Sequence, residues 1–263
     1  MPTPIMQRLL HLIVHALLCF ACLPSAPAAN LVFMIGEDEY LTWETLPEFA
    51  KSDVEPLGHQ VSVIHADATD KNNFPGLIEA LQDADLVLVS VRRRTPVKEQ
   101  LGALRAYLDA GKPMVGIRTA SHAFALREKD PAPDAAHAVW QAFDPEVFGG
   151  NYVNHYKAGP QTQVSLAEGA SGHPILKDIS VVDLASACSL YKVRPLEPSA
   201  KPLLLGTIPD QPAEPIAWTH RYGSKQTAVF YTSLGGADDF GNPAFRRLLL
   251  NAIAWALNPS NAK

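Results

Sequence analysis

The chain has 263 residues, 47% of them hydrophobic and 19% charged, with a formal net charge of −5. That is enough apolar chain for one large α/β domain with a substantial core. The only basic run, Arg92–Arg94, is too small for the broad cationic footprint of a nucleic-acid binder, so nucleic acid is not an expected partner.

Residues 1–29 stand apart. One cation, Arg8, precedes the apolar run LLHLIVHALLCFACL, and small residues come next in SAPAA. This order of regions is that of a secretory signal peptide cleaved after Ala28 or Ala29. The run is shorter than the ~20 residues that span a bilayer and two histidines interrupt it, which argues against a membrane anchor. The chain is therefore expected to be exported, to the periplasm or beyond, with no membrane attachment after cleavage. Loss of the leader takes one cation and no acid, moving the charge from −5 to −6. It also removes Cys19 and Cys22, leaving Cys188 alone. An intrachain disulfide and a thiolate zinc cluster are then both excluded.

In the remaining domain, read over 30–260, Leu31–Ile35 is a continuous apolar run ending at Gly36, the pattern of a buried parallel strand. Further runs at 60–65, 85–90 and 112–117 repeat it. Helical stripes lie between them at 42–56, 75–84 and 97–110, the last stopped by Gly111. Strand–helix alternation at this spacing predicts right-handed βαβ units and a parallel sheet covered on both faces. Residues 125–160 are rich in proline and glycine and read as an irregular excursion, with a helix expected around 135–142. Shorter strands are expected at 161–166, 189–193, 202–207, 215–220 and 227–232. Pro243 then opens a strongly amphipathic helix. The expected fold is α/β: a flavodoxin-like three-layer sandwich whose mostly parallel sheet carries a mixed extension.

Open parallel sheets bind ligands beyond the carboxyl ends of their strands. That rule selects the first tail, with Glu37, Asp38 and Tyr40, the third, with Arg92 and Arg93, and the fourth, with Arg118, Ser121 and His122. Acids facing cations across one edge make a polarised cleft suited to a polyhydroxylated or carbonyl-bearing ligand. Each group has a bland rival role. Glu37 and its neighbours could cap a helix, the arginines could pair with those acids on the surface, and His122 could simply satisfy backbone. Arg118 comes directly after a buried strand, so it needs a partner or a cleft. Asn151 and His155 lie in the excursion, long enough to fold over the cleft. His220 ends a strand, and His173 sits in a structural turn. Asp238 and Asp239 precede the last helix as a cap or, with one carboxylate raising the other's pKa, as a general base. No cofactor is expected. A divalent ion would have to draw on His122, His155 or His220 with Glu37, Asp238 or Asp239.

Five stretches carry a resemblance: LVFMIGEDEY at 31–40, VGIRTASHAF at 115–124, FGGNYVNHYKAG at 148–159, SGHPILKDI at 171–179 and VFYTSLGGADDFGNPAFRRLLLNAIAWAL at 229–257. The strand–glycine–elbow layout resembles the class I glutamine amidotransferase-like superfamily, and within it the chain is most similar to the ThuA-like (trehalose utilisation) family. The resemblance implies that fold and a role in carbohydrate metabolism, on keto sugars or glycosides made by partner dehydrogenases. Members have histidines in the fourth-strand turn, in a later loop and before the last helix. Here the first two are His122 and His155, and the third position is Gly235. Arg118 stands where the amidotransferases have their cysteine nucleophile, so a glutaminase reaction through a thioester is not expected.

Two functions are consistent with these residues. In one, an enzyme with His122 or Asp239 as proton carrier and Arg118, Arg92 or Arg93 at a developing oxyanion isomerises or cleaves a keto sugar. Substitution of Arg118 or His122 would then abolish turnover with little effect on stability. In the other, the chain is a carbohydrate-binding or accessory module without turnover. The partner in both is a small carbohydrate, and homo-oligomerisation is left open.

Overall fold

A computed structural model describes residues 28–258 and residue 260. The expected leader lies, for residues 1–27, outside the described residues. No helix among the described residues is long and apolar enough to cross a membrane.

The apolar runs form strands β1 (Asn30–Gly36), β2 (Gln60–His65), β3 (Leu86–Val91) and β4 (Met114–Ile117). Between them stand helices α1 (Thr42–Phe49), α2 (Leu77–Asp83) and α3 (Lys98–Asp109). After the excursion come the short β5 (Asn154–His155) and β6 (Gln163–Leu166), then β7 (Tyr191–Lys192), β8 (Lys201–Thr207), β9 (Glu214–Tyr222) and β10 (Thr227–Thr232). Helix α4 (Pro243–Leu257) closes the domain. Its Asn242 cap accepts from Ala244 N at 2.9 Å, and Pro243 sits at the first turn, where no donor is needed.

The eight-stranded sheet runs β2-β1-β3-β4-β10-β9-β8-β6. The first five strands are parallel, with the flavodoxin-like order of the doubly wound folds. Strands β9, β8 and β6 extend it by antiparallel pairing, which is the mixed extension. The strand period of two splits the core. Leu31, Phe33, Ile35, Leu86, Leu88, Val115 and Ile117 pack on one face with α1 and α4. Val32, Met34, Val87, Val89, Met114 and Tyr231 pack on the other with α2, α3 and the aromatic residues of the excursion. Three layers result, as the sequence predicts.

The helix expected around 135–142 does not form. His137 bridges to Val97, Ala138 N donates to Pro96 O at 2.9 Å and Trp140 N donates to Phe124 O at 3.0 Å. The backbone donors a helix would use are spent on neighbouring segments, and the Asp134 side chain takes two more, from Ala136 and His137. The helical turn comes later, at Asp144–Phe148. There the Phe148 ring packs on Gly116 of β4, where a methyl group would come 2.5 Å from Cε1.

Candidate functional site

The order reverses between β1 and β3, so their carboxyl ends splay apart and leave a crevice. A cleft of about 260 Å³ occupies it. Glu39 and Tyr40 come from the tail of β1, Arg92 and Arg93 from that of β3, and His122 and Arg127 from the segment after β4. The excursion supplies Tyr152, Val153, Asn154 and His155, and β7 supplies Tyr191. The tails of strands one, three and four therefore share one pocket, and the β5–β7 ribbon, which sets His155 opposite Tyr191, forms its wall.

His122 lies in the short helical turn after β4 and is buried. Its ring stacks on Tyr152 at 4.3 Å between centroids, with Tyr191 6.0 Å away. Burial first, then the positive field of Arg93, Arg92, Arg118 and Arg127, holds its pKa well below the usual histidine value, so the imidazole is neutral. Its Nδ1 lies 3.1 Å from Ser121 Oγ, a contact that fixes the orientation of the ring. The Tyr231 hydroxyl donates to the Arg118 carbonyl at 2.6 Å and holds the elbow backbone next to it. A neutral imidazole that donates Nδ1–H to a hydroxyl keeps its Nε2 lone pair, the arrangement of a general base. On the exposed side, His155 Nδ1 donates to Tyr156 O at 2.8 Å, which likewise leaves its Nε2 unprotonated when the ring is neutral.

Arg118 occupies the elbow with a left-handed backbone, φ 47°, but it does not line the cleft. Nη1 donates to Ser189 O at 3.0 Å and Ser233 O at 2.8 Å, and Nη2 to Ser189 Oγ at 3.0 Å and Tyr40 Oη at 3.2 Å. All four Nη hydrogens are spent. The guanidinium lies over the rings of Tyr191, 4.0 Å away, and Tyr40, 4.6 Å away. Burial works against its charge, but these neighbours outweigh it and raise the pKa. The expected oxyanion contact is thus replaced by a strut that holds two cleft tyrosines.

The acids are similarly occupied. Glu37, buried, accepts from the backbone of Glu39, Tyr40 and Thr42 and from the Thr42 hydroxyl, at 2.6–2.8 Å. It is the cap of the turn into α1. Asp239 Oδ2 accepts from Gly235 N at 2.8 Å and Gly236 N at 3.0 Å, and Asp238 is exposed; neither reaches the cleft. Asp38 pairs with Arg94 and Lys71 on the surface. Asn151 donates to Arg194 O, outside the cleft. His220 lies on β9, antiparallel to its neighbours, paired with Val229 toward the opposite edge of the sheet. There its Nδ1 meets Ser199 Oγ at 3.1 Å beneath Gly149. The donors named for a divalent ion do not converge. Among the described residues no three His, Cys, Asp or Glu side chains form a metal-binding group. His173 is the structural turn histidine, accepting from Ile175 N at 3.2 Å.

Cys188 is nearer the elbow than its sequence position suggests, with Sγ against Gly236 and its backbone N–H on Ser186 Oγ. Burial raises its pKa, so it is a thiol rather than a thiolate.

Sequence reading passed over Tyr152, Tyr191, Arg127 and Asn154. No periodicity in residues 152–155 marked them, since all four line the cleft. Tyr191 becomes a cleft residue only through the pairing of β5 with β7. Behind the wall, Asp144 Oδ2 accepts from Tyr152 N at 2.7 Å while Oδ1 has no partner. Burial pushes this carboxyl up to about 7.

Known proteins place the chain. Among solved structures it is similar to a putative ThuA-like protein from Parabacteroides merdae, with 15% identity, a TM-score of 0.60, and 88% of this chain and 91% of that one covered. It is also similar to part of a β-galactosidase from Rahnella sp. R3, with 16% identity, a TM-score of 0.56, and 86% of this chain and 31% of that one covered. The N-terminal domain of mmIFT52 shares the fold at 12% identity, a TM-score of 0.50, and 87% and 97% coverage. At such identities the shared property is the fold. No curated protein matches the chain. The model of the ThuA family, described as trehalose utilisation, matches residues 38–256, and the chain belongs to that family.

Proposed function

We propose that the cleft binds a carbohydrate derivative and that His122 moves a proton beside its carbonyl group. The observation that carries this reading is the neutral imidazole stacked on Tyr152, tied through Nδ1 to Ser121 and lining the cleft. Tyrosine rings offer faces for a sugar ring, and Asn154, Glu39 and the arginines offer hydrogen bonds to hydroxyls. In a keto sugar, Nε2 takes the proton from the carbon next to the carbonyl. The electron pair shifts to the carbonyl oxygen, and Arg92 or Arg93 stabilises the resulting enediolate. Reprotonation at the neighbouring carbon isomerises the sugar; expulsion of an oxygen substituent in the β position cleaves it. Ser121 acts as a positioning residue by holding the ring at Nδ1.

The test is solvent exchange. A 3-keto glycoside incubated with the protein in D2O should gain deuterium next to the carbonyl, as read by NMR, and the His122→Asn variant should lose at least about a hundredfold in that rate. Exchange at the parent rate in the variant overturns the mechanism. Binding without exchange in the parent supports the second reading, a carbohydrate-binding module. That reading is favoured by one observation: Glu39, the one carboxylate among the residues lining the cleft, is paired with Arg92 at 2.9 Å. We also propose that the chain is exported by the leader read over residues 1–29. N-terminal sequencing of secreted protein, beginning at Ala29 or Asn30, tests that step.

A further inference from the structure

Three arginines, Arg92, Arg93 and Arg127, line the cleft, Arg94 lines the cavity beside it, and the four are not equivalent. Arg92 pairs with Glu39, and Arg94 pairs with Asp38 while its Nε donates to Gly36 O at 2.8 Å. Among the described residues, Arg93 and Arg127 have no carboxylate within ion-pair distance. Arg93 spends Nη1 on the Ala125 carbonyl at 3.1 Å, and its Nε is buried without a partner. Arg127 is exposed, and its guanidinium makes no hydrogen bond or ion pair with the described residues. Both line the 260 Å³ cleft and also an adjoining cavity of about 490 Å³, so they stand where the two meet.

The acids on that side, Asp130 and Asp134, make no ion pair with either guanidinium. Asp130 Oδ2 accepts from the backbone N–H of Arg127 at 2.9 Å, and Asp134 Oδ1 accepts from His137. Arg93 is also held in place. Arg93 N donates to His122 O at 3.0 Å and Arg94 N to Ala123 O at 2.7 Å, which pins the tail of β3 to that of β4. Burial, and then the neighbouring Arg127 charge, lower the pKa of Arg93, and Tyr152 and Asp130 offset this only in part. A half-buried cation without an ion-pair partner is costly, and a neutral sugar does nothing to relieve it.

We infer that the natural ligand is an acidic carbohydrate, whose carboxylate or phosphate is seated between Arg93 and Arg127. This rests on the carbohydrate reading of the cleft and narrows its substrate class. An oxyanion there accepts the free donors of both guanidiniums through charge-assisted hydrogen bonds. It also offsets the positive field on His122, so the bound ligand itself makes that imidazole a stronger base.

The experiment compares matched neutral and charged forms of one hexose, glucose, glucuronate and glucose 6-phosphate, by calorimetry with the whole mature chain. At low salt at least one charged form should bind about tenfold or more tightly than glucose, with the advantage shrinking as salt is raised. Uronate and phosphate are separate arms, so the preferred one identifies the anionic group. In Arg127→Gln the advantage should disappear. That side chain is exposed and makes no contact the fold depends on, so the variant folds, and its unchanged melting temperature is the control. Equal binding of glucose and both charged forms, or a preference that survives in Arg127→Gln, overturns the inference while leaving the proton-transfer reading intact if exchange still occurs. Arginine-dependent binding of an acid sugar, with no deuterium exchange in its keto form, sustains the inference and overturns the proton-transfer reading. Absence of binding by all three overturns both.

Discussion

Replacing Arg118 with methionine tests the central departure from sequence expectation, because it should disrupt the fold rather than only the chemistry. The side chain is buried, and its four Nη hydrogens satisfy Ser189 O, Ser233 O, Ser189 Oγ and Tyr40 Oη. Methionine fills much of the volume but leaves the two carbonyls without that donor, at roughly 1–3 kcal/mol for each group left unsatisfied. It also loses the contacts over Tyr191 and Tyr40, worth roughly 0.5–2 kcal/mol apiece. Removing a buried charge returns part of this. The net cost expected is about 3 kcal/mol, or roughly 6–12 °C in melting temperature for a domain of this size. Arg118→Lys keeps the charge but cannot span the same acceptors from one ammonium, so it should fall between parent and methionine. Urea unfolding monitored by circular dichroism measures this directly, with the midpoint shifting at constant slope. A methionine variant within about 0.5 kcal/mol of the parent would refute the strut, since no arrangement of these contacts is that weak.

Asp144, raised to about 7 from 3.8, favours the folded state when protonated. Its contribution is present below pH 4 and is lost as pH rises toward 7, a span of roughly 4 kcal/mol. His122, depressed in the fold, acts in the opposite sense, with stability rising as pH approaches 6.5. Asp144→Asn should therefore leave a profile that climbs between pH 4 and 6.5 and no longer falls toward 7. An unchanged urea-midpoint profile would show that this carboxyl is normally ionised. Gly116→Ala, whose methyl would collide with the Phe148 ring, should cost about 1–3 kcal/mol and tilt the excursion that carries Tyr152; parent-like melting would mean that the ring yields freely. Tyr152→Leu removes the ring stacked on His122. It should weaken sugar binding by about tenfold in calorimetry while the melting temperature moves only a few degrees, and parent-like affinity would take Tyr152 out of the ligand platform.

Much of the cleft was legible in the primary sequence because strand ends in a parallel sheet are predictable places. Tyr40, Arg92, Arg93 and His122 were found by locating each apolar run and taking the polar residues at its carboxyl end. The same rule could not distinguish a side chain aimed into the crevice from one bent back into the protein. Arg118 and His122 are four residues apart on one tail, yet one supports the wall and the other faces the ligand space. Glu37 looked like a ligand-binding acid and Asp239 like a general base because carboxylates near strand ends often take such roles. Unpaired backbone N–H groups at the two turns claimed them instead.

Composition and periodicity alone settled the α/β class, the order of its elements, the two-faced core and the dominance of parallel strands, since those depend on which residues avoid water at a spacing of two or near 3.6. Tertiary structure decided which polar groups remain available for chemistry. Tyr191 reaches the cleft through strand pairing, His220 leaves it because β9 runs the other way, and Arg127 makes no ion pair among the described residues while Arg92 pairs with Glu39. The physical reason is that burial is encoded residue by residue, whereas a hydrogen bond or an ion pair needs two groups from distant parts of the chain to arrive at the same place.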